Sequence, residues 1–332
     1  MKLERIFLAL AMGVCALSTG SVRAALPHGE LRIASPWPAQ NTIITMLGYG
    51  DSIVGTSKIA QQIPLFSQSL PRIKNVPIVS MNSGRELDPE QLIALRAQLV
   101  FIPEGTQIPR QETLEQAGVR VLAFEANSMQ ALTRRVQQTA DVLGEDAQVK
   151  ASLYQRYFDR NVALVKTRLQ NVPDDKRLTV YHSMGGPLTT TGRPSLNQDW
   201  MDLAGAKNVA ENWFDGRKNR PGEVSMEQLV AANPAVIVAM NKRDADEILS
   251  SPQWASVDAV LHHRVYVNPK GMFWWCRETS EEALQFLWLA KKLYPEQFSD
   301  VDMQKETRDF YRSFFGLTLS GEQIAAILNP KM

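Results

Sequence analysis

The chain has 332 residues, 44% hydrophobic and 21% charged, with 36 basic and 35 acidic side chains. This excludes a disordered chain, which lacks the apolar residues for a core, and a nucleic-acid binder, which needs a basic excess to track phosphates. Two Cys residues build no disulfide scaffold, and the length predicts two α/β domains at roughly 100–200 residues each.

Residues 1–24 read as a secretory signal. Lys2 and Arg5 form a positive start, Ile6 to Leu17 is apolar apart from Gly13, and Val22-Arg23-Ala24 fits a signal-peptidase site. The apolar run is shorter than the roughly 20 residues needed to span a bilayer. Val14 before Cys15 breaks the pattern of a lipoprotein anchor. Cleavage after Ala24 would remove Lys2, Arg5, Arg23 and Glu4, so three basic charges and one acidic charge leave and the net charge goes from +1 to −1. Cys276 would then be the single thiol. No later stretch is apolar enough to cross a membrane, so a soluble mature protein is expected.

The next segment, 25–143, reads as a β-α-β-α-β lobe. Leu31 to Ala34 is a strand, stopped by Ser35-Pro36-Trp37-Pro38 because proline cannot continue a ladder. Asn41 to Leu47 has helical spacing and stops at Gly48; Ile53 to Gly55 is a strand. Asp88 caps a helix with Pro89 at its first position, ending near Ala97. Leu99 to Ile102 is a buried strand. Gln111 to Gln116 is a helix closed by Gly118, and Val119 to Ala123 is a strand. This alternation predicts a mainly parallel sheet covered by helices.

From Glu145 to Gln170 there is no Gly or Pro. The segment 144–171 therefore reads as one helix of about 26 residues and about 39 Å, with Leu153, Tyr157, Leu164 and Leu169 as its apolar face. It would act as a rigid strut between halves. The last segment, 172–332, repeats the α/β logic. Leu178 to Tyr181 is a strand followed by the loop His182 to Pro187. Asn197 to Leu203 is a helix ending at Gly205, and Ser225 caps another through Ala232. Strands follow at Ala235 to Ala239 and Val265 to Val267. Glu281 to Leu293 reads as an amphipathic helix stopped by Pro295.

The loops at the carboxyl ends of the strands are where an open parallel sheet binds ligands. They carry Trp37, Arg85, His182, Met184, Arg220, Trp274, Trp275 and Arg277. Trp offers a wide apolar face with one donor, and Arg grips anionic oxygens in pairs. That chemistry suits a large ligand with oxygen donors. Two adjacent tryptophans on a strand face opposite ways, so one of Trp274 and Trp275 is expected in the cleft and the other in the core. His182 with Met184 allows direct metal ligation, although a lone His after a strand is more often hydrogen-bonded structure. His28, His182, His262 and His263 are the only histidines, too scattered for a free-metal site of the three-His type. Nucleophile-elbow, zinc-protease, phosphate-loop and dinucleotide motifs are missing from the sequence, so no catalytic residue and no intrinsic cofactor are expected.

Four segments together resemble the periplasmic binding proteins that serve ATP-driven importers of iron–siderophore, haem and cobalamin. They are RIASPWPAQNTIITMLGYGDSIVG from Arg32, ELDPEQLIALRAQLVFIPEG from Glu86, LTTTGRPSLNQDWMDLAGAKNVAE from Leu188 and VSMEQLVAANPAVIVA from Val224. The resemblance implies two Rossmann-like lobes joined by a single long helix. It implies capture of a metal chelate, above all a ferric siderophore, with haem, corrinoid or nickel/cobalt chelates as alternatives. It implies delivery to an inner-membrane ABC permease dimer with its cytoplasmic ATPase. It implies that Trp274 is the cleft tryptophan, and that Glu90 and Glu227, early in a helix of each half, meet arginines on the permease. Pro103 and Pro221 stand where cobalamin-binding members carry aromatics.

Overall fold

The computed structural model describes residues 30–80, 87–214 and 221–331. The signal segment, Arg85 and Arg220 lie outside the described residues. Five strands form the first sheet: β1 Ile33–Ala34, β2 Ile53–Ser57, β3 Ile78–Ser80, β4 Leu99–Pro103 and β5 Arg120–Phe124. Their order is β3-β2-β1-β4-β5, and every pairing is parallel. The second half contains β6 Thr179–Ser183, β7 Thr189–Thr190, β8 Lys207–Asn208, β9 Gly222–Glu223, β10 Val236–Ala239 and β11 Val265–Val267. Here β11-β10-β6-β8 make a parallel sheet, and β7 pairs antiparallel with β9. Both parallel sheets have buried centres. The β10 run Val-Ile-Val-Ala is buried at all four residues, as continuous apolar strands covered on both faces must be.

Helix Pro38–Met46 begins three residues earlier than its spacing predicts, because Pro38 occupies the first helical position, where no N–H is needed. Asp88 caps helix Pro89–Ala94 by accepting from the Glu90 amide, as expected. Helix Met129–Leu143 carries the same kind of signal, a Ser128 cap accepting from Ala131 N–H. It runs into Gly144, whose φ of 118° a side chain would strain, and the chain reverses there into the long helix Glu145–Leu169.

The long helix has the predicted extent but a different inner face. Its buried stripe is Ala147, Ala151, Tyr154, Phe158, Asn161, Val165 and Leu169. Leu153 is 47% exposed, and Tyr157 and Leu164 are only partly covered. Reading large side chains alone misplaced the stripe; the alanines, which let neighbouring helices approach, belong to it. The helix is also no free strut. Tyr154 donates to the Ser280 carbonyl at 2.8 Å and Asn161 to the Ala283 carbonyl at 2.7 Å. Those bonds fasten the helix to the start of helix Glu282–Leu293.

That last helix is not amphipathic. Every residue from Glu282 to Ala290 is buried. One apolar cluster runs continuously from Ile33 and Ile43 of the first half through Tyr154 and Phe158 to Trp200, Leu284 and Phe310 of the second. The lobes therefore share a core at their base, and large hinge motion would tear it.

Trp275 lies in this core at 0% exposure, its indole N–H donating to the Tyr311 hydroxyl at 3.3 Å. Trp275→Ala should cost about 3–5 kcal/mol of unfolding free energy, read as a lower midpoint in urea. Gly271 explains how the chain threads past. A Cβ there would overlap the Tyr311 hydroxyl and the Glu281 carboxylate.

Candidate functional site

Among the described residues, β1 ends just before Trp37 and β6 ends just before Met184, so both sheets carry candidate residues at strand carboxyl ends. In the second lobe, Val238 pairs with His182 and Ala239 with Ser183. The Met240 amide then donates to the Ser183 carbonyl at 3.0 Å. Met184 and Met240 thus leave adjacent strands side by side. His182 belongs to β6 and not to the loop after it, because β10 and β8 both pair with that strand. Its ring is completely buried, edge-on to Trp200 at 5.1 Å, and neither ring nitrogen has a hydrogen-bond partner within the protein.

Burial, assisted by the nearby Arg277 charge, pushes the His182 pKa down to about 3. The imidazole is neutral at physiological pH. A base whose folded pKa lies below its unfolded value of about 6.5 contributes stability fully above that value, and the contribution falls away as pH drops toward 3. Between pH 7 and pH 5 the loss from this group is about 2 kcal/mol. His182→Leu should abolish that part of the acid sensitivity, measured by urea unfolding at the two pH values.

Arg277 brings the predicted residues together. Its Nη1 lies 3.9 Å from Met240 Sδ, and its charge acts on His182. Met184 Sδ accepts from the Asn197 amide at 2.8 Å. His182, Arg277 and the two methionines converge at the ends of β6 and β10. Among the described residues, no group of three or more His, Cys, Asp or Glu side chains could hold a metal ion. The thiol of Cys276 is buried, and burial pushes its pKa up to about 12, which makes it a poor nucleophile.

Beside this corner a pocket of about 600 Å³ opens, lined by Asn241, Lys242, Arg243, Asp246, Trp274 and Lys331. Trp274 is half-buried, with Phe273 against its edge at 5.1 Å and Lys270 over its ring at 4.2 Å. Arg243 donates to the Gly185 carbonyl at 3.1 Å, tying the pocket to the loop after β6. Three cations, one acid and an indole thus border the pocket, with Lys242 paired to Asp246 and Arg243 to the buried Asp244. Lys242, Arg243 and Lys331 were missed from the sequence. The apolar run Val236 to Ala239 followed by Asn241-Lys242-Arg243 is the signal that could have found the first two, since strand carboxyl ends carry ligands.

Other candidates lie elsewhere. Trp37 is only 2% exposed. It is sandwiched under the Arg135 guanidinium, 4.0 Å from the ring, and its indole N–H donates to the Glu278 carboxylate at 3.2 Å. Trp37 and Trp275 are therefore covered side chains and not walls of this pocket. The stretch around Trp274 and Trp275 is a turn and not a strand, yet one tryptophan faces outward and the other inward as expected. Glu90 and Glu227 are both exposed in the first turns of helices Pro89–Ala94 and Met226–Ala232. Glu90 pairs with Arg110 at 3.4 Å, both side chains in solvent, a contact worth little. Its own backbone amide and the Ser225 hydroxyl hold the Glu227 carboxyl below its usual range.

The sequence matches the family described as periplasmic binding protein over residues 33–271. The chain belongs to this family. A curated relative, the molybdate-binding protein MolA of Haemophilus influenzae, is 27% identical over 312 residues, covering 87% of this chain and 84% of the relative. A substrate-binding lipoprotein of an ABC transporter from Bacillus subtilis, YvrC, is 24% identical over 278 residues, covering 81% and 82%. Among solved structures, MolA with molybdate bound superposes with a TM-score of 0.77 at 23% identity, covering 89% of this chain and 95% of that one. Helicobacter pylori CeuE with Ni(II) bound gives 0.72 at 20% identity, covering 92% and 96%. Both share the two-lobe fold. As a periplasmic binding protein related to ABC importers, the chain is a carrier and not an enzyme, and its family works with a membrane permease and an ATPase.

Proposed function

We propose that this periplasmic binding protein captures an anionic metal chelate in the pocket around Trp274 and hands it to an inner-membrane ABC permease. The observation that carries this reading is one pocket lined by Lys242, Arg243 and Lys331 together with Trp274. A pocket of about 600 Å³ is in the range for a ligand of siderophore-fragment size. Ferric siderophores are the first candidates, followed by haem, corrinoids and nickel chelates. A second reading, a bare metal oxyanion, is favoured by the relationship to MolA, which binds molybdate. Arg85 and Arg220 would supply further cations. In this reading residues 1–24 are cleaved on export to the periplasm, 25–143 and 172–332 form the lobes, 144–171 joins them, and the mature carrier is a monomer.

Trp274 provides the readout. Titration with a ferric siderophore, haem, cobalamin, a nickel chelate and molybdate should quench tryptophan fluorescence for at least one anionic member. That quench should be lost in Trp274→Phe, which keeps an aromatic face. Binding of cobalamin or another neutral or cationic chelate alone would keep the carrier role but remove the anionic part of the reading.

A further inference from the structure

Glu278, four residues after Trp274, has polar groups tied in three directions. Its carboxylate accepts from Trp37 Nε1 at 3.2 Å. Its carbonyl accepts from Arg135 Nη2. Its amide donates to Glu282 Oε1 at 2.8 Å, at the head of the buried helix. Trp37 and Arg135 belong to the first lobe, are 2% and 1% exposed, and stack on each other at 4.0 Å. Glu278 also holds a left-handed backbone with φ of 58°. A non-glycine residue keeps such a conformation only where its surroundings over-determine it, and such residues gather at functional sites.

The next residues continue the seam. Thr279 Oγ1 lies 3.0 Å from Thr42 Oγ1, and the Ser280 amide donates to the same hydroxyl at 3.4 Å. On the other side of Glu278 are Arg277, against Met240, and Trp274, which lines the pocket. The loop therefore serves the second lobe's pocket at one end and is bonded to the first lobe at the other.

We infer that Glu278 is a positioning residue: through Trp37 and Arg135 it anchors the loop to the first lobe and so holds Arg277 and Trp274 in their ligand-facing arrangement. Its bearing on affinity rests on the pocket reading above; the anchor itself does not. Hydrogen–deuterium exchange of the full chain without ligand tests the anchor directly. In Glu278→Gly, which permits the left-handed backbone but deletes the carboxylate, peptides covering 272–280 should exchange at least tenfold faster. Peptides within Glu282–Leu293 should be unchanged. Trp37→Phe removes the indole donor and should match it, and the two together should be no faster than either. Glu278→Gln retains an acceptor oxygen and should restore slow exchange.

Unchanged exchange at 272–280 in Glu278→Gly would overturn the inference. So would acceleration spread evenly over the chain, or additive effects of the two variants. The binding arm uses molybdate and a ferric siderophore as probes, with about tenfold faster dissociation expected in Glu278→Gly for whichever binds the parent protein. If the parent takes up neither, the pocket reading loses these two ligands while exchange still decides the anchor. If the parent binds and dissociation is unchanged despite a loosened loop, the loop does not position the ligand.

Discussion

Reversing two charges at the pocket, Lys242→Glu with Arg243→Glu, should weaken binding of the anionic ligand by at least a hundredfold. A hydrogen bond to a charged group contributes about 1.5–3 kcal/mol, and about 1.4 kcal/mol is a factor of ten in affinity. Losing two such contacts already reaches the hundredfold level, before repulsion from the new carboxylates is added. The fold should tolerate the change. Lys242 and Arg243 sit in the first turn of helix Lys242–Ser250, where acidic side chains favour the helix dipole. Two ion pairs are lost: Lys242–Asp246 lies in solvent and contributes little, while Arg243–Asp244 costs more because the Asp244 carboxylate is buried, although the Asn241 side chain still donates to it, so a lowered but cooperative unfolding transition is expected. Calorimetric titration beside thermal unfolding separates the two effects. Full affinity in the double variant would place the ligand elsewhere.

The second large effect concerns delivery. Glu90→Arg with Glu227→Arg should leave ligand affinity within about twofold and reduce uptake by at least tenfold. Both side chains are exposed, neither lines the pocket, and both begin a helix at a lobe surface. If the permease offers arginines there, like-charge contacts across the interface cost several kcal/mol. Uptake in cells, with the soluble protein titrated in parallel, gives the answer. Normal uptake with normal affinity would end the docking proposal.

The order of strands and the long helix were legible because they rest on chain-local signals. Apolar runs such as Val236 to Ala239 and caps such as Asp88 and Ser225 act within a few residues of themselves. The site was legible only where strand ends fixed it. Arg277, His182 and Met184 converge because pairing of β6 with β10 brings Met240 beside them, and the carboxyl-end rule pointed at those loops. What failed was burial. Trp37 between two prolines looked like a ligand platform, but Arg135, nearly a hundred residues later, covers it. The stripe of the long helix was misread because Ala147 and Ala151 face neighbours that only tertiary packing supplies. Glu281 shows the same limit. It is buried, with its pKa pushed up to about 7 by desolvation, and it accepts from the Met272 and Phe273 amides at 2.7 and 2.9 Å. Read as the head of an amphipathic helix in the sequence, Glu281 supports the turn at Met272 and Phe273 from inside.

The shared core beneath the lobes also bears on mechanism. With Tyr154, Phe158 and Leu284 in one continuous cluster, lobe closure costs packing if it is large. Rearrangement on loading should therefore be confined to loops above that core, and the loop from Met272 to Ser280 is bonded to both sides.

Native mass spectrometry of the protein purified from its own cells reads the captured ligand itself. An added mass that contains a metal and carries net negative charge is expected, and it should be released when Lys242 and Arg243 are both changed to Glu. A bound species without metal, or a lone metal cation retained by the double variant, would contradict that expectation.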